Sequence, residues 1–222
     1  MKAARARCGS RLALRNSGTD PVAGVHDATE PGNTPLDHEE REGLIPQHIV
    51  SRGELNQWES LNIRGAHDWL AARRTGNVLS VEFLGELHRR MFDETWTWAG
   101  AYRNSDKTIS PHHWTEVPRL MRDLIENTRA QHGASDKSPK SVDDVAMRFH
   151  HALVRIHPWP NGNGRHGRLA TDVLLLQWGR PVFAWGDAGD LKTTRTARAR
   201  YIAALENADG GEFALLRRFV RS

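Results

Sequence analysis

The chain of 222 residues has the length of one globular domain or of two small ones, and its 38% hydrophobic and 26% charged residues are enough to bury a core without disulfide bonds. The one cysteine, Cys8, excludes a disulfide framework and a cysteine-based metal site, which fits a cytoplasmic protein, and no apolar run reaches the roughly 18 residues of a membrane span. The net charge of +4 comes from scattered basic residues, so charge alone does not indicate a nucleic-acid partner.

The first segment, residues 1–34, contains Gly, Pro, Asn and Ser and few large apolar side chains. We interpret it as a disordered leader, or as a reading frame that starts too early, ahead of a domain over residues 35–222. Apolar residues at helical spacing then predict a helix over residues 52–74, with Ser51 as its N-cap, and a second helix that begins after Ser80.

The next stretch, "TWTWAGAYRNSDKTISPHHW", has a different character. Aromatic side chains are followed by polar turn residues, which predicts a short β-hairpin or an extended loop. Helical patterns return in "EVPRLMRDLIENTRAQH", in "SVDDVAMRFHHALVRI" with Ser141 as its N-cap, in the nearly apolar "GRLATDVLLLQWG", and in two C-terminal segments. The prediction is an all-α domain with one small hairpin and a core over about residues 80–220.

Between two of these helices lies "RIHPWPNGNGRHGRLATDVLL", which combines a histidine, a glycine-rich turn and two arginines. Gly162 and Gly164 permit positive φ and a close approach of backbone N–H groups to a ligand, and a helix N-terminus binds anions. Arg165 and Arg168 lie three residues apart on one helix face, so their guanidinium groups predict a polyphosphate site. His157 ends the preceding helix and, with an ordinary pKa near ~6.5, can accept a proton at neutral pH.

Each part of this pattern also has a simpler interpretation. An Asn-Gly pair is usually a turn, an arginine pair is usually exposed, and a histidine at a helix end usually caps carbonyl groups. Their order within one stretch favours a functional site. The clustered histidines lack zinc-ligand spacing, and the eight tryptophans indicate core packing, so we expect neither a zinc site nor a nucleic-acid partner.

The stretch "HPWPNGNGRHGR" resembles the signature of the Fic/Fido (Fic/DOC) family, H-x-F-x-[D/E]-G-N-G-R-x-x-R. The likeness extends to "FLGELHRRMFDETWTWAGAYR" and "ARARYIAALENADGGEFALLRRFV", and it covers residues 34–220. Two stretches, "TPLDHEEREGLIPQHIVSRGELNQWE" and "NGNGRHGRLATDVLL", are similar to the subgroup called mobile mystery protein B. The resemblance implies a Fic-type helical bundle that transfers a nucleotide part, usually AMP from ATP, to a hydroxyl group of a target protein.

The resemblance also implies a role for each residue that matches the signature. His157 would take the proton of a Ser, Thr or Tyr hydroxyl as that hydroxyl attacks the α-phosphorus of ATP. Arg165 and Arg168 would bind the β- and γ-phosphates, which leave as pyrophosphate, and Mg²⁺ would bridge phosphate oxygens. The implied phosphate-binding residues are Gly162, Asn163, Gly164, Arg165 and Arg168. General chemistry agrees, because phosphoryl-type transfer requires positioning and charge neutralisation rather than a covalent nucleophile.

Two positions depart from the family signature. Trp159 replaces a Phe whose ring packs in the core and holds the loop. Asn161 replaces the acidic residue that binds the metal, and its uncharged amide oxygen is expected to bind Mg²⁺ more weakly. This leaves three consequences open: a reduced metal affinity, a different nucleotide, or little effect if phosphates and water supply most of the ligands.

A hairpin next to the site has a further role in the family. Its edge pairs with the main chain of the target protein beside the modified residue. The expected edge in this chain consists of Lys107, Thr108, Ile109 and Ser110, and the alternative is a plain connector.

Many family members carry an inhibitory helix with the pattern [S/T]-x-x-x-E-[G/N]. "HEEREG" and "IAALEN" place the glutamate correctly but lack the Ser or Thr, so neither matches. An antitoxin-like or mobile-element partner protein is the alternative brake. The rival functions are transfer of another nucleotide or phosphate-containing group, and a non-catalytic toxin or regulatory protein, against which the intact His157 argues.

Overall fold

The computed structural model describes residues 37–72, 76–186 and 195–222, and the leader predicted over residues 1–34 lies outside these ranges. The helices are α1 His38–Glu42, α2 Arg52–Ala72, α3 Val81–Phe92, α4 Val117–Ala134, α5 Pro139–Ile156, α6 Asn163–Gln177, α7 Arg195–Asp209 and α8 Ala214–Arg221. Within the described ranges the β pairing is a single isolated bridge between Leu44 and Trp96, so the predicted helical class is confirmed. None of the helices there combines the length and the apolar character that crossing a membrane requires.

Two helix starts follow the sequence prediction. The Ser51 hydroxyl accepts the Glu54 N–H at 3.3 Å, and the Glu54 carboxylate accepts the Ser51 N–H at 3.0 Å, which is a capping box at the start of α2. The Ser80 hydroxyl accepts the Phe83 N–H at 3.1 Å and begins α3.

The predicted N-cap of α5 is wrong. The cap is Ser138, whose hydroxyl accepts the Ser141 N–H at 3.3 Å, so the helix begins three residues earlier than expected. Pro139 occupies the first helical position, where its fixed φ suits the helix and its missing N–H leaves no bond unmade.

Helices α5 and α6 lie between two buried clusters and belong to both. Phe149 and Leu153 of α5 face the first cluster, which also contains side chains of α2, α3, α4 and α6. Val142 and Ala146 of α5 face the second cluster, together with α7, α8 and Phe183. The loop between α5 and α6 is therefore carried by the two most enclosed helices of the fold.

The predicted β-hairpin over residues 95–114 is also wrong, because turns and bends occupy residues 101–113 instead of strands. The buried guanidinium of Arg103 explains the difference. It donates to the carbonyl oxygens of Ser105 at 2.8 Å and His112 at 2.7 Å. These carbonyls bind a side chain at the centre of the segment, so they are not available to a strand ladder.

The close crossing of α5 and α6 depends on Gly167. A Cβ at this position would lie 2.9 Å from Cγ2 of Val154 and 3.4 Å from the ring of His150. We expect Gly167→Ala to lower the free energy of unfolding by about 1–3 kcal/mol, since the helices would have to move apart. Urea unfolding measures this change.

Gly65 in α2 provides the matched control, because a Cβ there would meet nothing within 4 Å. Gly65→Ala is expected to raise the free energy of unfolding by up to ~1 kcal/mol through helix propensity alone. Equal behaviour of the two variants would contradict the close crossing.

Candidate active site

His157 is the residue at which α5 ends. Its backbone is left-handed, with φ 55° and ψ 60°, and its N–H donates to the Leu153 carbonyl at 3.3 Å. The Nδ1 atom lies 3.3 Å from the Val154 carbonyl oxygen. A carbonyl only accepts, so Nδ1 carries the hydrogen and Nε2 carries the lone pair that can take a proton.

The imidazole of His157 is neutral at physiological pH. Burial, together with the positive charges of Arg103 and Lys107, lowers its pKa to about 3. The neutral ring is the form that a general base requires.

Arg103 holds the backbone of His157 in place. Its Nε donates to the His157 carbonyl at 2.8 Å, and its backbone N–H donates to the Pro158 carbonyl at 2.9 Å. The side chain is fully buried. Nothing in "AYRNSD" separates this arginine from a solvent-facing one, so sequence reasoning missed it.

The loop after His157 is closed by the side chain of Asn163. Its Nδ2 donates to the Trp159 carbonyl at 2.8 Å, and its Oδ1 accepts the Trp159 N–H at 3.0 Å. The amide group predicted to bind phosphate is thus engaged inside the loop. The backbone N–H of Asn163 lies in the first turn of α6, where N–H groups lack acceptors within the helix.

Trp159 lies in the core, with 1% of its surface exposed. Its ring stacks on His88 at 4.6 Å between centroids, and its Nε1 donates to Nδ1 of His166 at 3.2 Å. The other nitrogen of His166, Nε2, donates to the Leu84 carbonyl at 2.9 Å. A Phe could not donate the hydrogen bond to His166. The tryptophan therefore connects the loop to α6 and, through His166, to α3.

His88 of α3 holds the loop by a hydrogen bond. The sequence did not predict this role, because His88 lies among the apolar residues of a helix. Its Nε2 donates to the Asn161 carbonyl at 3.0 Å, while its Nδ1 accepts the Gly100 N–H at 3.0 Å. These two bonds define the tautomer. Burial holds the pKa of this histidine well below its ordinary value, so the arrangement persists at neutral pH.

Gly162 is the N-cap of α6, with a positive φ of 80°. A Cβ at Gly162 would lie 2.6 Å from the Phe92 ring, so the position has no room for a side chain. At Gly164 the surroundings are more open, since the nearest atoms to an added Cβ are Arg168 Nη1 at 3.9 Å and the Tyr201 hydroxyl at 4.0 Å. The start of α6 therefore lies next to Arg168, and Gly164 there is partly exposed.

Asn161 turns its side chain back into the loop. Its Oδ1 accepts the N–H of Gly162 at 2.5 Å. The oxygen predicted as a metal ligand is therefore already bonded, and it carries no charge. Within the ranges that the structure describes, no group of three or more His, Cys, Asp or Glu side chains could hold a metal ion.

Arg165 binds a carboxylate of α2. One of its nitrogens, Nη1, donates to Oε2 of Glu59 at 2.7 Å, and its guanidinium lies 4.8 Å above the Phe92 ring. The Glu59 side chain is buried and also accepts the Trp96 indole N–H at 3.2 Å. Sequence reasoning missed Glu59, which lies more than 100 positions before its partner in the chain.

Arg168 points towards α7. Its guanidinium hydrogen-bonds the Tyr201 hydroxyl and lies 5.5 Å from the centre of the tyrosine ring. The two signature arginines therefore leave α6 towards different helices, with the first turn of α6 between them.

Comparison with known proteins places this arrangement in a family. The profile of the Fic/DOC family matches residues 78–175, which contain α3, α4, α5, the loop and most of α6. A Fic/DOC family domain thus covers residues 78–175. Its fold is similar to the crystal structure of the BepC protein from Bartonella tribocorum with bound AMPPNP, at a TM-score of 0.64 and 16% identity, over 83% of this chain and 96% of that one.

Two curated relatives of this Fic/DOC chain have names that state an activity. One is a "Probable protein adenylyltransferase" of Aquifex aeolicus, 30% identical over 127 residues, and the other is a "Protein adenylyltransferase Fic" of Nematostella vectensis, 28% identical over 148 residues. The alignments cover 54% and 64% of this chain, but 34% and 31% of those proteins. The chain thus spans about a third of the length of these relatives.

The four residues predicted to dock a target protein lie in a turn of the Fic/DOC domain. Lys107 is buried against Glu40 of α1, to which its ammonium group donates. The Ser110 hydroxyl hydrogen-bonds the carbonyls of the last turn of α5 at 3.1 Å. Thr108 and Ile109 are exposed between them. Two of the four residues are thus held against the protein and two face solvent.

The buried histidines of the Fic/DOC domain make its stability depend on pH. Burial lowers the pKa to about 3 for His150 and His157 and to about 4 for His166, so the folded chain does not take up the protons that the unfolded chain binds below pH ~6.5. Stability is therefore complete above that pH and is lost as the pH falls. Asp172 has the opposite effect on stability, because burial raises its pKa to about 6 and its protonation favours the folded state as the pH falls. It is one group against three histidines.

We expect the free energy of unfolding to fall by about 1.4 kcal/mol for each of these histidines between pH 7.5 and pH 5.5. Urea unfolding at the two pH values measures the loss. His166→Gln removes one titrating group and is expected to reduce the loss by about one such increment. A free energy of unfolding that is equal at both pH values would contradict the neutral, buried state of these side chains.

Proposed function

We propose that the chain is a protein adenylyltransferase that transfers AMP from ATP to a Ser, Thr or Tyr hydroxyl of a target protein. The observation that carries the proposal is a neutral imidazole, His157, one short loop before a helix N-terminus flanked by two arginines. The names of the curated relatives and the nucleotide in the BepC structure support it.

In the proposed reaction, Nε2 of His157 accepts the proton of the target hydroxyl while the hydroxyl oxygen attacks the α-phosphorus. The new bond joins that oxygen to phosphorus, and the bond from the α-phosphorus to the bridging oxygen breaks. Pyrophosphate departs with the electron pair, and the imidazolium returns its proton to solvent or to the leaving group.

The phosphate oxygens would lie at the first turn of α6. Gly164 leaves space there for an anion, and the unpaired N–H groups of the helix end carry partial positive charge. Arg168 borders this space directly. Arg165 binds Glu59 through one nitrogen, and a guanidinium has donors on its other nitrogens for phosphate oxygens.

We also propose that Mg²⁺ accompanies the nucleotide. When bound, the ion would neutralise charge on the phosphate oxygens, which are hard ligands of the kind it prefers. Asn161 fits only the role of a weak ligand, since its amide oxygen is neutral and accepts the Gly162 N–H. The charge of the triphosphate is then balanced mainly by the arginines and the helix end.

Removal of the base is the first test of the proposal. We expect His157→Ala to reduce the transfer of AMP to target proteins by at least ~10², the usual contribution of a general base. Intact-mass analysis of a cell lysate incubated with the protein, Mg²⁺ and ATP measures labelling as a gain of one AMP mass.

His67, an exposed histidine of α2, provides the matched control, because His67→Ala removes an imidazole far along the chain from the loop. Its labelling should equal that of the parent, and circular dichroism should show equal helix content in both variants. Labelling that persists in His157→Ala would refute the mechanism, and labelling with GTP, UTP or CTP in place of ATP would assign a different nucleotide.

The substitution Asn161→Asp tests the metal site. A carboxylate at this position adds one negative charge beside the phosphates, and we expect the Mg²⁺ concentration that half-saturates ATP binding to fall about tenfold. Isothermal titration at several Mg²⁺ concentrations measures this value. Asn207→Asp, at an exposed position of α7, makes the same charge change away from the loop and should leave the value unaltered. An unchanged value in Asn161→Asp would remove residue 161 from the metal site.

We further propose that the chain belongs to the mobile mystery protein B subgroup, acts in the cytoplasm and has an antitoxin-like or mobile-element partner protein. The stretches over residues 34–59 and 161–175 and the single cysteine support this assignment. Copurification of a protein encoded beside this chain, which lowers its labelling activity, is the expected observation.

A further inference from the structure

Three side chains from three helices form a hydrogen-bonded chain beside the start of α6. Arg168 of α6 hydrogen-bonds the hydroxyl of Tyr201 of α7 and lies over its ring. The same hydroxyl lies 2.8 Å from Nε2 of His150 of α5. The signature matches Arg168 but includes neither Tyr201 nor His150.

The chemistry of the groups fixes one of these two directions. A guanidinium only donates, so the oxygen of Tyr201 accepts from Arg168. Burial lowers the pKa of His150 to about 3, so its ring is neutral at neutral pH, and either tautomer can hydrogen-bond the hydroxyl through Nε2.

The histidine at the end of this hydrogen-bonded chain is fixed by packing. His150 has none of its surface exposed, and its ring packs on Trp185 at 4.6 Å between centroids. Gly167 lies on another side, where an added Cβ would be 3.4 Å from the ring. Tyr201 is itself 7% exposed. The tyrosine hydroxyl therefore has a defined position beside the guanidinium of Arg168.

We propose that Tyr201 is a positioning residue that orients Arg168 towards the terminal phosphates of the bound nucleotide, with its hydroxyl held in place by His150. The inference deepens the proposed nucleotide transfer and rests on it. An arginine side chain has many rotamers, and a hydrogen bond that it donates to a buried hydroxyl selects among them before the nucleotide arrives. The hydroxyl lies 4.0 Å from the Cβ position of Gly164, at the mouth of the proposed phosphate site.

The test is Tyr201→Phe in the full chain, which keeps the ring under the guanidinium and removes only the hydroxyl. ATP and AMP binding are measured by isothermal titration with Mg²⁺. We expect the Kd for ATP to rise about tenfold and the Kd for AMP to change less than about twofold, because AMP lacks the phosphates that Arg168 holds. In the transfer reaction, the KM for ATP should rise with little change in kcat.

The chain's other tyrosine supplies the matched control. The hydroxyl of Tyr102 is buried without a hydrogen-bond partner in the described residues, and its ring packs on Trp159 at 5.1 Å between centroids, a contact that Phe retains. Tyr102→Phe therefore removes the same atom without breaking a bond to an arginine, and its effect on the Kd for ATP should be less than about twofold.

A double-mutant cycle separates positioning from general support of the fold. If Tyr201 acts through Arg168, then Tyr201→Phe should have no further effect on ATP binding in the Arg168→Ala background. Equal weakening of ATP and AMP, or additive effects in the cycle, would overturn the inference, as would a parent protein that gains no affinity from the terminal phosphates of ATP. A parent that binds ATP more tightly than AMP but labels no protein would refute the proposed transfer alone.

Discussion

The loop between α5 and α6 is largely buried, so most of its backbone carbonyls need a donor within the protein. Five carbonyls of this short segment are bound in this way. Arg103 donates to the carbonyls of His157 and Pro158, and the Asn163 side chain donates to that of Trp159. His88 donates to the carbonyl of Asn161, and the His166 N–H donates to that of Gly162. The position of the base and of the helix start depends on this network.

The same burial decides where positive charge resides at the site. Histidines around the loop are kept neutral, so they act as directional donors and acceptors rather than as cations. Positive charge is left to the arginines, whose pKa is too high for burial to neutralise them. Each signature arginine is held by a partner from another helix: Arg165 by Glu59 and Arg168 by Tyr201. In the proposed function, this arrangement would form a preorganised anion site with a neutral base beside it, which suits transfer chemistry that depends on positioning.

The sequence could predict those features whose signal is local. Apolar periodicity located the helices, and the order of residues in the signature located His157 and the two arginines. Local signals also failed where two of them competed. Ser138 and Ser141 both suit a cap, and Pro139 decides between them. The composition of residues 95–114 is typical of a hairpin, but a buried arginine draws its carbonyls together instead.

The supporting residues of the site could not be predicted, because their partners are distant in the chain. His88 meets the loop across 73 positions, and Arg103 meets His157 across 54. Each of them belongs to an ordinary stretch of sequence, where a polar residue on an apolar helix or a lone arginine carries no sign of its partner. The indole N–H of Trp159 is a similar case, since it stabilises the loop only because the first turn of α6 places His166 beside it as an acceptor.

The division of the interior into two clusters has a consequence for cooperativity. Ile156, the residue before His157, belongs to the first cluster, whereas Tyr201 belongs to the second cluster with α7 and α8. Proteins open in cooperative units of unequal stability, and the terminal helices of a chain are often among the first to open. Opening of α7 and α8 would release Arg168 while the base stays in place. Amide hydrogens of these two helices would therefore exchange more slowly with solvent when a triphosphate is bound. Hydrogen exchange in α7 and α8, which lie outside the signature, would then report nucleotide binding.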